Sequence, residues 1–270
     1  MQTRIRIGLL TPSSNTVMEP RVAEMLAGLP QVTAHFGRFR VVRIAMSDDA
    51  LGQFSFEPQL AAADLLADAK CDVIAWGGTS GGWLGAENDR ALCHAITERT
   101  GVPATTSTLA TLDAFRALGA SRYALATPYL EEVQNAIITN FANVGFDCVH
   151  ERHLEDPGNF TFAQYDEDTI AQMIREVAAK SPDAIAVFCT NFDGPRVAPT
   201  VEGGNRGPRA RQHNRHALAR AAAHRIRYRA PVPMGPDIRM PPTPKRHARC
   251  RTGFGIARNS DSELQGGGNQ

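Results

Sequence analysis

Residues 72–82 read DVIAWGGTSGG, and this stretch decides the fold class. Residues 73–76 are all apolar, which is typical of a strand in a parallel sheet that helices cover on both faces. The glycines and hydroxyl residues that follow predict a loop at the end of that strand, and residues 87–100 then predict a helix. A buried strand, a polar loop and a helix in this order are the building unit of α/β folds.

The same unit recurs on both sides of this stretch, as far as residue 202. Periodicity and turn residues predict further strands at 4–10, 41–46, 102–106, 123–129, 146–151 and 183–189, and helices near 17–26, 58–69, 107–118, 130–143 and 167–180. Gly119 is expected to end the helix before it. Short strands that alternate with helices indicate a parallel sheet.

The second part of this region repeats the first. Residues 183–191, DAIAVFCTN, echo residues 72–80, and residues 123–129 echo the first strand and its Thr-Pro turn. We therefore predict two pseudo-symmetric α/β halves, 1–118 and 119–202, each with a Rossmann-like (flavodoxin-like) parallel sheet, that arose by duplication. Because ligands bind outside the carboxyl ends of parallel strands, we expect the active site between the halves.

Residues 203–270 differ sharply from the rest of the chain. Residues 1–202 carry 15 basic and 25 acidic side chains, whereas 203–270 carry 14 basic and 3 acidic ones. The second half should continue here with a counterpart of the strand and helix at 102–119, yet this basic segment has neither helical nor strand periodicity. The second half is thus predicted to be incomplete.

Two hypotheses account for the basic segment. The first is a reading-frame shift near residues 201–204 that replaced the natural C-terminus, since codons for residues 210–230 read one nucleotide later permit LDSITATLWHALRHTGFDTAP, which parallels the missing strand and helix. The second is a genuine basic tail that binds nucleic acid through its phosphates. We favour the frame shift, and with it an aberrant, disordered C-terminal segment and no nucleic-acid partner.

The composition excludes several classes of protein. Hydrophobic residues make up 43% of the chain, but no apolar run reaches the ~18 residues that a membrane span needs, and residues 1–7 do not resemble a signal peptide. We therefore expect a cytoplasmic globular protein without membrane contact. Five cysteines are scattered without a CxxC pair, so neither a disulfide framework nor a metal site is indicated.

Polar side chains follow three of the predicted strands. Asn15 lies where a loop turns into a helix, so its amide suits either an anionic oxygen or simple helix capping. Residues 78–81, GTSG, offer two hydroxyls and flexible backbone donors for a carboxylate, without the lysine of a phosphate-binding loop. Cys189 ends a strand and precedes Thr190 and Asn191; backbone N–H groups there would favour a thiolate, and apolar burial a neutral or inert thiol.

Four motifs in order carry a family resemblance: PSSNTVME at 12–19, GTSG at 78–81, ATPY at 126–129 and CTN at 189–191. Together they resemble the maleate cis-trans isomerase and arylmalonate decarboxylase branch of the aspartate/glutamate racemase superfamily, over roughly residues 4–201. The resemblance implies cofactor-free chemistry next to a carboxylate, in a cleft between two pseudo-symmetric halves.

The resemblance also implies roles for the matching residues. The hydroxyls of residues 79–80 and of Tyr129 would hydrogen-bond one substrate carboxylate and the enediolate formed from it. Asn15, Thr190 and backbone donors would hold the second carboxylate, and Cys189 would deliver a proton to one face of the carbanion or take one from it. The predicted substrate-binding residues are Asn15, Gly78, Thr79, Ser80, Tyr129, Thr190 and Asn191.

The number of cysteines in the predicted site favours one reaction. Racemases and maleate isomerases of this superfamily place a cysteine in each half, whereas this chain has Gly78 first and Cys189 second. Racemisation needs an acid and a base on opposite faces, and thiolate addition needs a nucleophile and an acid, but decarboxylation needs one proton donor. We therefore predict a decarboxylase of a malonate-like diacid, with no cofactor and no metal.

Three alternatives stay open. The motif around Asn15 is more similar to the maleate isomerases, a racemase-type isomerase belongs to the same superfamily, and a frame-shifted chain could be an inactive family member. A small dicarboxylate is the expected partner in each active case. The substrate side chain, the stereochemistry and the oligomeric state are open.

Overall fold

The computed structural model describes residues 4–202 and 256–257. In this part of the chain the strands are β1 (Ile5–Pro12), β2 (Val32–Phe39), β3 (Val73–Trp76), β4 (Ala104–Thr106), β5 (Arg122–Ala126), β6 (Asp147–Arg152), β7 (Ala184–Val187) and β8 (Ile256–Ala257). They form two four-stranded sheets of orders β2-β1-β3-β4 and β6-β5-β7-β8. The first three strands of the two sheets therefore repeat one topology, and the predicted fold class of two parallel-sheet halves is confirmed.

Helices connect the strands and pack against the sheets. They are α1 (Met18–Leu26), α2 (Asp48–Gly52), α3 (Phe56–Asp68), α4 (Gly81–Leu84), α5 (Ala86–Thr100), α6 (Ser107–Leu118), α7 (Glu131–Ala142), α8 (Glu167–Ala178) and α9 (Gly194–Glu202), with a short 3₁₀ helix at Phe160–Gln164. α3 packs against β1 and β2, and α8 packs against β5 and β6. α6 has the predicted bounds and ends at Gly119, whose φ of 66° is the left-handed conformation that glycine adopts without strain.

The fourth strand breaks the symmetry between the sheets. β4 runs parallel to β3, whereas β8 runs antiparallel to β7 and comes from residues 256–257. A parallel counterpart of β4 is therefore not present beside β7 within residues 4–202. Apart from β8, the segment 203–270 lies outside the described residues, and both hypotheses about its origin stay predictions, as does its predicted disorder.

One predicted strand is wrong. The second strand is Val32–Phe39, and residues 41–46 form a loop instead. β2 is an edge strand with several half-exposed positions, including polar ones such as His35, so it lacks a continuous apolar signal. The apolar run at 41–46 has a different use: Val41 and Ile44 are buried in the cleft between the halves.

An aromatic cluster packs the two halves together away from the cleft. Phe115 on α6 is fully buried, and its ring centroid lies 5.2 Å from that of Tyr123 and 5.2 Å from that of Phe146. Phe141 on α7 packs on Tyr123 at 5.5 Å. Such contacts hold the sheets in a fixed relation. In the described part of the chain, no helix combines the length and apolarity needed to span a membrane.

Candidate functional site

The carboxyl ends of β1, β3 and β7 and the loop after β5 surround one cavity, which we call the cleft. It holds about 290 Å³ of empty volume, part of it open to solvent. All eight predicted site residues line the cleft. The full lining is Pro12, Asn15, Val41, Ile44, Phe54, Trp76, Gly78, Thr79, Ser80, Trp83, Tyr129, Asn159, Cys189, Thr190 and Asn191.

Cys189 is the cysteine of the cleft, two residues beyond the end of β7. It is 7% exposed. Burial raises the pKa of its thiol to about 11, although hydrogen bonds from the Tyr129 hydroxyl and from the backbone N–H groups of Asn191 and Phe192 oppose that rise. Of the two effects weighed from the sequence, burial is the larger, so the thiol is neutral near pH 7 and can donate a proton.

Tyr129 connects the loop after β3, which contains Thr79, with Cys189 after β7. Its hydroxyl lies 2.7 Å from Thr79 Oγ1 and also contacts the Cys189 thiol. Burial raises the pKa of Tyr129 well above its usual value, so the phenol keeps its proton. The ring is fixed by edge-on packing against Trp83 and Phe162, with ring centroids at 5.5 Å in both cases. The structure thus places a rigid neutral donor beside the thiol.

Ser80 and Gly78 both contact the indole of Trp76. The Trp76 Nε1–H group donates to Ser80 Oγ at 3.0 Å. Because that bond occupies a lone pair of the hydroxyl oxygen, the Ser80 O–H group stays available as a donor. A Cβ atom built on Gly78 would lie 2.1 Å from Trp76 Cζ2, so the indole fills the place of a side chain there.

Two asparagines join the halves at the other side of the cleft. Asn15 Oδ1 accepts from the backbone N–H groups of Val17 and Met18, at the start of α1, and Asn15 Nδ2 donates to Thr190 Oγ1 at 3.1 Å. The helix-capping alternative for Asn15 is therefore present in the structure. Its amide also reaches Thr190, in the loop of the opposite half.

Asn191 is bonded to protein groups on both sides. Its Oδ1 accepts from the backbone N–H groups of Thr16 at 2.9 Å and Val17 at 3.3 Å, and its Nδ2 donates to the Asn159 carbonyl at 2.6 Å. Arg21 on α1 adds an ion pair to Asp193 at 2.8 Å. The loop after β7 is thereby tied to the first half, and the predicted contact of Asn191 with substrate stays a prediction.

The lining contains no charged side chain within the described residues. Any carboxylate in the cleft would consequently be held by neutral donors: hydroxyls, amides and backbone N–H groups. In the same part of the chain, His, Cys, Asp and Glu side chains form no group of three that could hold a metal ion.

Sequence reasoning missed part of the lining. Trp76 carried a usable signal, because it ends the predicted buried strand and precedes Gly78 by only two residues. Val41, Ile44 and Phe54 come from the loop predicted as a strand and from its continuation. Asn159 had no local signal. Trp83 also lines the cleft, and its Nε1–H group is buried without a hydrogen-bond partner in the described structure.

Comparison with known proteins agrees with this architecture. The family model of arylmalonate decarboxylase matches residues 7–208. The chain belongs to the arylmalonate decarboxylase family. This confirms the resemblance stated from the four motifs, and it is a family of enzymes that contains both decarboxylases and isomerases by the names of the relatives.

Individual members of the arylmalonate decarboxylase family are distant in sequence. The chain is 27% identical to the maleate isomerase of Geobacillus stearothermophilus over 197 residues, covering 69% of this chain and 78% of that one. It is 32% identical to the arylmalonate decarboxylase of Bordetella bronchiseptica over 122 residues, 44% and 51% of the two chains.

A solved structure shows the same fold. The structure of a cysteine-to-alanine variant of the maleate isomerase from Pseudomonas putida S16, with maleate, superposes with a TM-score of 0.69 at 24% identity, covering 76% of this chain and 86% of that one. At this identity the likeness establishes the fold of a family member, and the choice between the two reactions falls to the chemistry of the cleft.

Proposed function

We propose that this chain is a cofactor-independent decarboxylase of a malonate-like dicarboxylic acid. The observation that carries the proposal is the pairing of one buried neutral thiol, Cys189, with Gly78 at the corresponding position of the other half. Among the lining residues the structure describes, no second cysteine faces Cys189. One proton donor suffices for decarboxylation and falls short of the acid and base that racemisation requires.

The retained carboxylate would lie against Thr79, Ser80 and Tyr129. Loss of CO₂ breaks one C–C bond, and the electron pair of that bond passes into the retained carboxylate as an enediolate. The Ser80 hydroxyl and the Thr79–Tyr129 pair, which uses one O–H group for its own 2.7 Å hydrogen bond, then face increased negative charge on the same two oxygens. Because they are held in place before the reaction, each donor can contribute on the order of 3 kcal/mol to stabilising the transition state.

The second carboxylate, which leaves as CO₂, would lie near Asn15 and Thr190. Apolar side chains such as Val41 and Ile44 line the same cleft. Loss of charge as CO₂ forms is favoured where such side chains replace water around the carboxylate.

Cys189 would complete the reaction. Its S–H bond breaks as the proton passes to the enediolate carbon, and the resulting thiolate takes a proton from solvent before the next turnover. The Tyr129 hydroxyl and the N–H groups of Asn191 and Phe192, which contact the sulfur, stabilise the thiolate in the interval. A thiol that is neutral at rest suits this acid role.

The alternative is a maleate isomerase. The 27% identity to the maleate isomerase of Geobacillus stearothermophilus and the sequence around Asn15 favour it. That reaction, by addition to the double bond, requires a thiolate nucleophile at rest, and burial of Cys189 opposes this state. An inactive chain is the third possibility, since the described part contains no parallel strand on the side of β7 away from β5, where β8 pairs with it antiparallel.

A substrate panel tests the proposal. The full chain would be incubated with arylmalonates, alkylmalonates and maleate, following CO₂ release and fumarate formation. We expect CO₂ from a malonate, and a loss of about 10²–10⁴-fold in rate for Cys189→Ala. Cys148→Ala, at a half-buried cysteine that does not line the cleft, is the matched control and should retain the rate.

The outcomes separate the candidates. Fumarate formation from maleate without CO₂ release from any malonate would replace the decarboxylase by the isomerase. Full activity of Cys189→Ala would overturn the role of the thiol. A folded chain that turns over none of the substrates would favour the inactive family member.

A further inference from the structure

The two halves differ at the last residue of the strand that leads to Gly78 in one half and to Cys189 in the other. β3 ends at Trp76 and β7 ends at Val187, and Gly78 and Cys189 each follow two residues later. Residues two apart on an extended chain share one face. The residue of the second half that corresponds to Trp76 is accordingly Val187, a small aliphatic side chain, whereas the indole of Trp76 lies against Gly78.

The indole occupies the space that a side chain at position 78 would need. A Cβ atom there would lie 2.1, 2.5 and 2.7 Å from Trp76 Cζ2, Cη2 and Cε2, respectively. Observed Cβ atoms essentially never come closer than 3.0 Å to such atoms. All three contacts are to the six-membered part of a rigid ring, so no rotation of a flexible end relieves them.

Trp76 is held in this position from both sides. It is fully buried, its Nε1–H group donates to Ser80 Oγ at 3.0 Å, and its ring packs on Phe39 with centroids 5.0 Å apart. Moving the ring would disturb its hydrogen bond to Ser80 or its packing on Phe39. The overlap at position 78 therefore cannot be relieved cheaply.

We propose that Trp76 determines the reaction specificity of the site, because its indole takes the place of a side chain at position 78 and so closes the face of the substrate opposite Cys189 to proton transfer. The inference rests on the proposed function, since it assumes that Cys189 protonates one face. It adds that Gly78 alone does not set the one-thiol chemistry. Gly78→Cys should therefore destabilise the protein and add no second proton-transfer group to the site unless Trp76 is also replaced by a smaller residue.

A double-mutant cycle tests the steric part without any substrate. The proteins are the parent chain, Gly78→Cys, Trp76→Leu and the double variant, compared by their melting temperatures. We expect Gly78→Cys in the parent chain to lower the melting temperature by roughly 2–12 °C, as overpacking of a buried site does. In the Trp76→Leu background, Gly78→Cys should lower the melting temperature clearly less.

Trp83→Leu is the matched control for the cycle. Trp83 is also a buried tryptophan that lines the cleft, but its atoms are not among those nearest to the added Cβ. Gly78→Cys should therefore cost the same in the Trp83→Leu background as in the parent chain. If Trp76→Leu gives too little folded protein, Trp76→Phe provides a second background.

A second measurement tests the chemical part. With a thiol at position 78 and no indole above it, two sulfurs would face the α-carbon of the monoacid product: one takes the α-hydrogen as a thiolate and the other delivers a deuteron from S–D. In D₂O the double variant should therefore exchange the α-hydrogen with racemisation at least tenfold faster than Gly78→Cys alone. The new thiol should also react with iodoacetamide only in the Trp76→Leu background.

The results distinguish this inference from the proposed function. Equal losses in melting temperature with and without Trp76 would overturn the inference. So would a double variant that decarboxylates but exchanges no faster than Gly78→Cys. If no chain decarboxylates any malonate, the proposed function fails, while the coupling between positions 76 and 78 still shows whether the indole excludes a side chain.

Discussion

The protonation state of Cys189 decides between an acid and a nucleophile, and it can be measured directly by raising the pH. Burial raises the pKa of the thiol from 9.0 to about 11. A difference of two pKa units makes the thiolate fraction near neutral pH roughly 100-fold smaller than for an unburied cysteine. Only the thiolate is alkylated, so the rate of alkylation should rise about tenfold for each pH unit through pH 9.5.

The assay is alkylation by iodoacetamide at a series of pH values, with the modified cysteine identified by peptide mass spectrometry. The apparent pKa comes from the shape of the rate profile, so slow access to a buried sulfur does not distort it. Cys189→Ser confirms the assignment of the labelled peptide. A profile that levels off below pH 8.5 would refute the burial argument, and one that levels off below about pH 7 would reveal a thiolate at rest and favour the isomerase.

Three substitutions and one sequencing experiment test other parts of the site and chain. Tyr129→Phe removes the hydroxyl that contacts Thr79 and the thiol and should lower kcat by about 10²-fold, with the melting temperature lowered by roughly 2–12 °C because the buried Thr79 hydroxyl loses its partner. Asp89 is fully buried, and burial raises the pKa of its carboxyl group from 3.8 to about 6. The stability that comes from the protonated carboxyl group is therefore fully present below pH 3.8 and is lost as the pH rises through about 6. Asp89→Asn should remove this dependence and make unfolding at pH 8 harder by up to about 3 kcal/mol in denaturant titrations; an unchanged slope between pH 4 and 6 would count against it. Asn15→Asp keeps a capping oxygen but replaces an N–H donor by a negative charge in a side chain that is 1% exposed, so it should raise KM at least tenfold, an effect that a pure capping role would not produce. Resequencing the source DNA should give codons for residues 210–230 that encode the predicted strand and helix one nucleotide later, and an intact frame on both strands would remove the frame-shift hypothesis.

Most of the fold was predictable because buried parallel strands leave an unambiguous apolar signal. β3 and β7 are short apolar runs that end in polar loops, and their repetition in the sequence indicates the two halves. β2 was missed because an edge strand buries only part of its surface. The apolar loop at 41–46 was mistaken for it, since a run that lines a cleft has the same composition as a strand.

The site could be predicted where its polar residues lie at the carboxyl ends of the strands. Cys189 and residues 78–80 were found because carboxyl ends of parallel strands converge. Trp76 was missed because its position in a buried strand accounted for its presence. The sequence does not show the direction of its ring. In the structure the ring lies against Gly78, two residues later. The sequence indicates that a large apolar side chain is buried, but only the structure shows which neighbouring position its ring leaves without space for a side chain.

Asn15 illustrates how a structural and a functional role can require one another. Capping and anion binding were opposed as alternatives from the sequence, yet the two use different atoms of the same amide. Oδ1 accepts from the N–H groups of Val17 and Met18, and this fixes the amide plane with Nδ2 on the side of Thr190. An amide nitrogen carries two N–H donors, and Thr190 Oγ1 takes one of them. The cap thereby orients the remaining donor, so a substrate oxygen would meet a group that needs no reorganisation on binding.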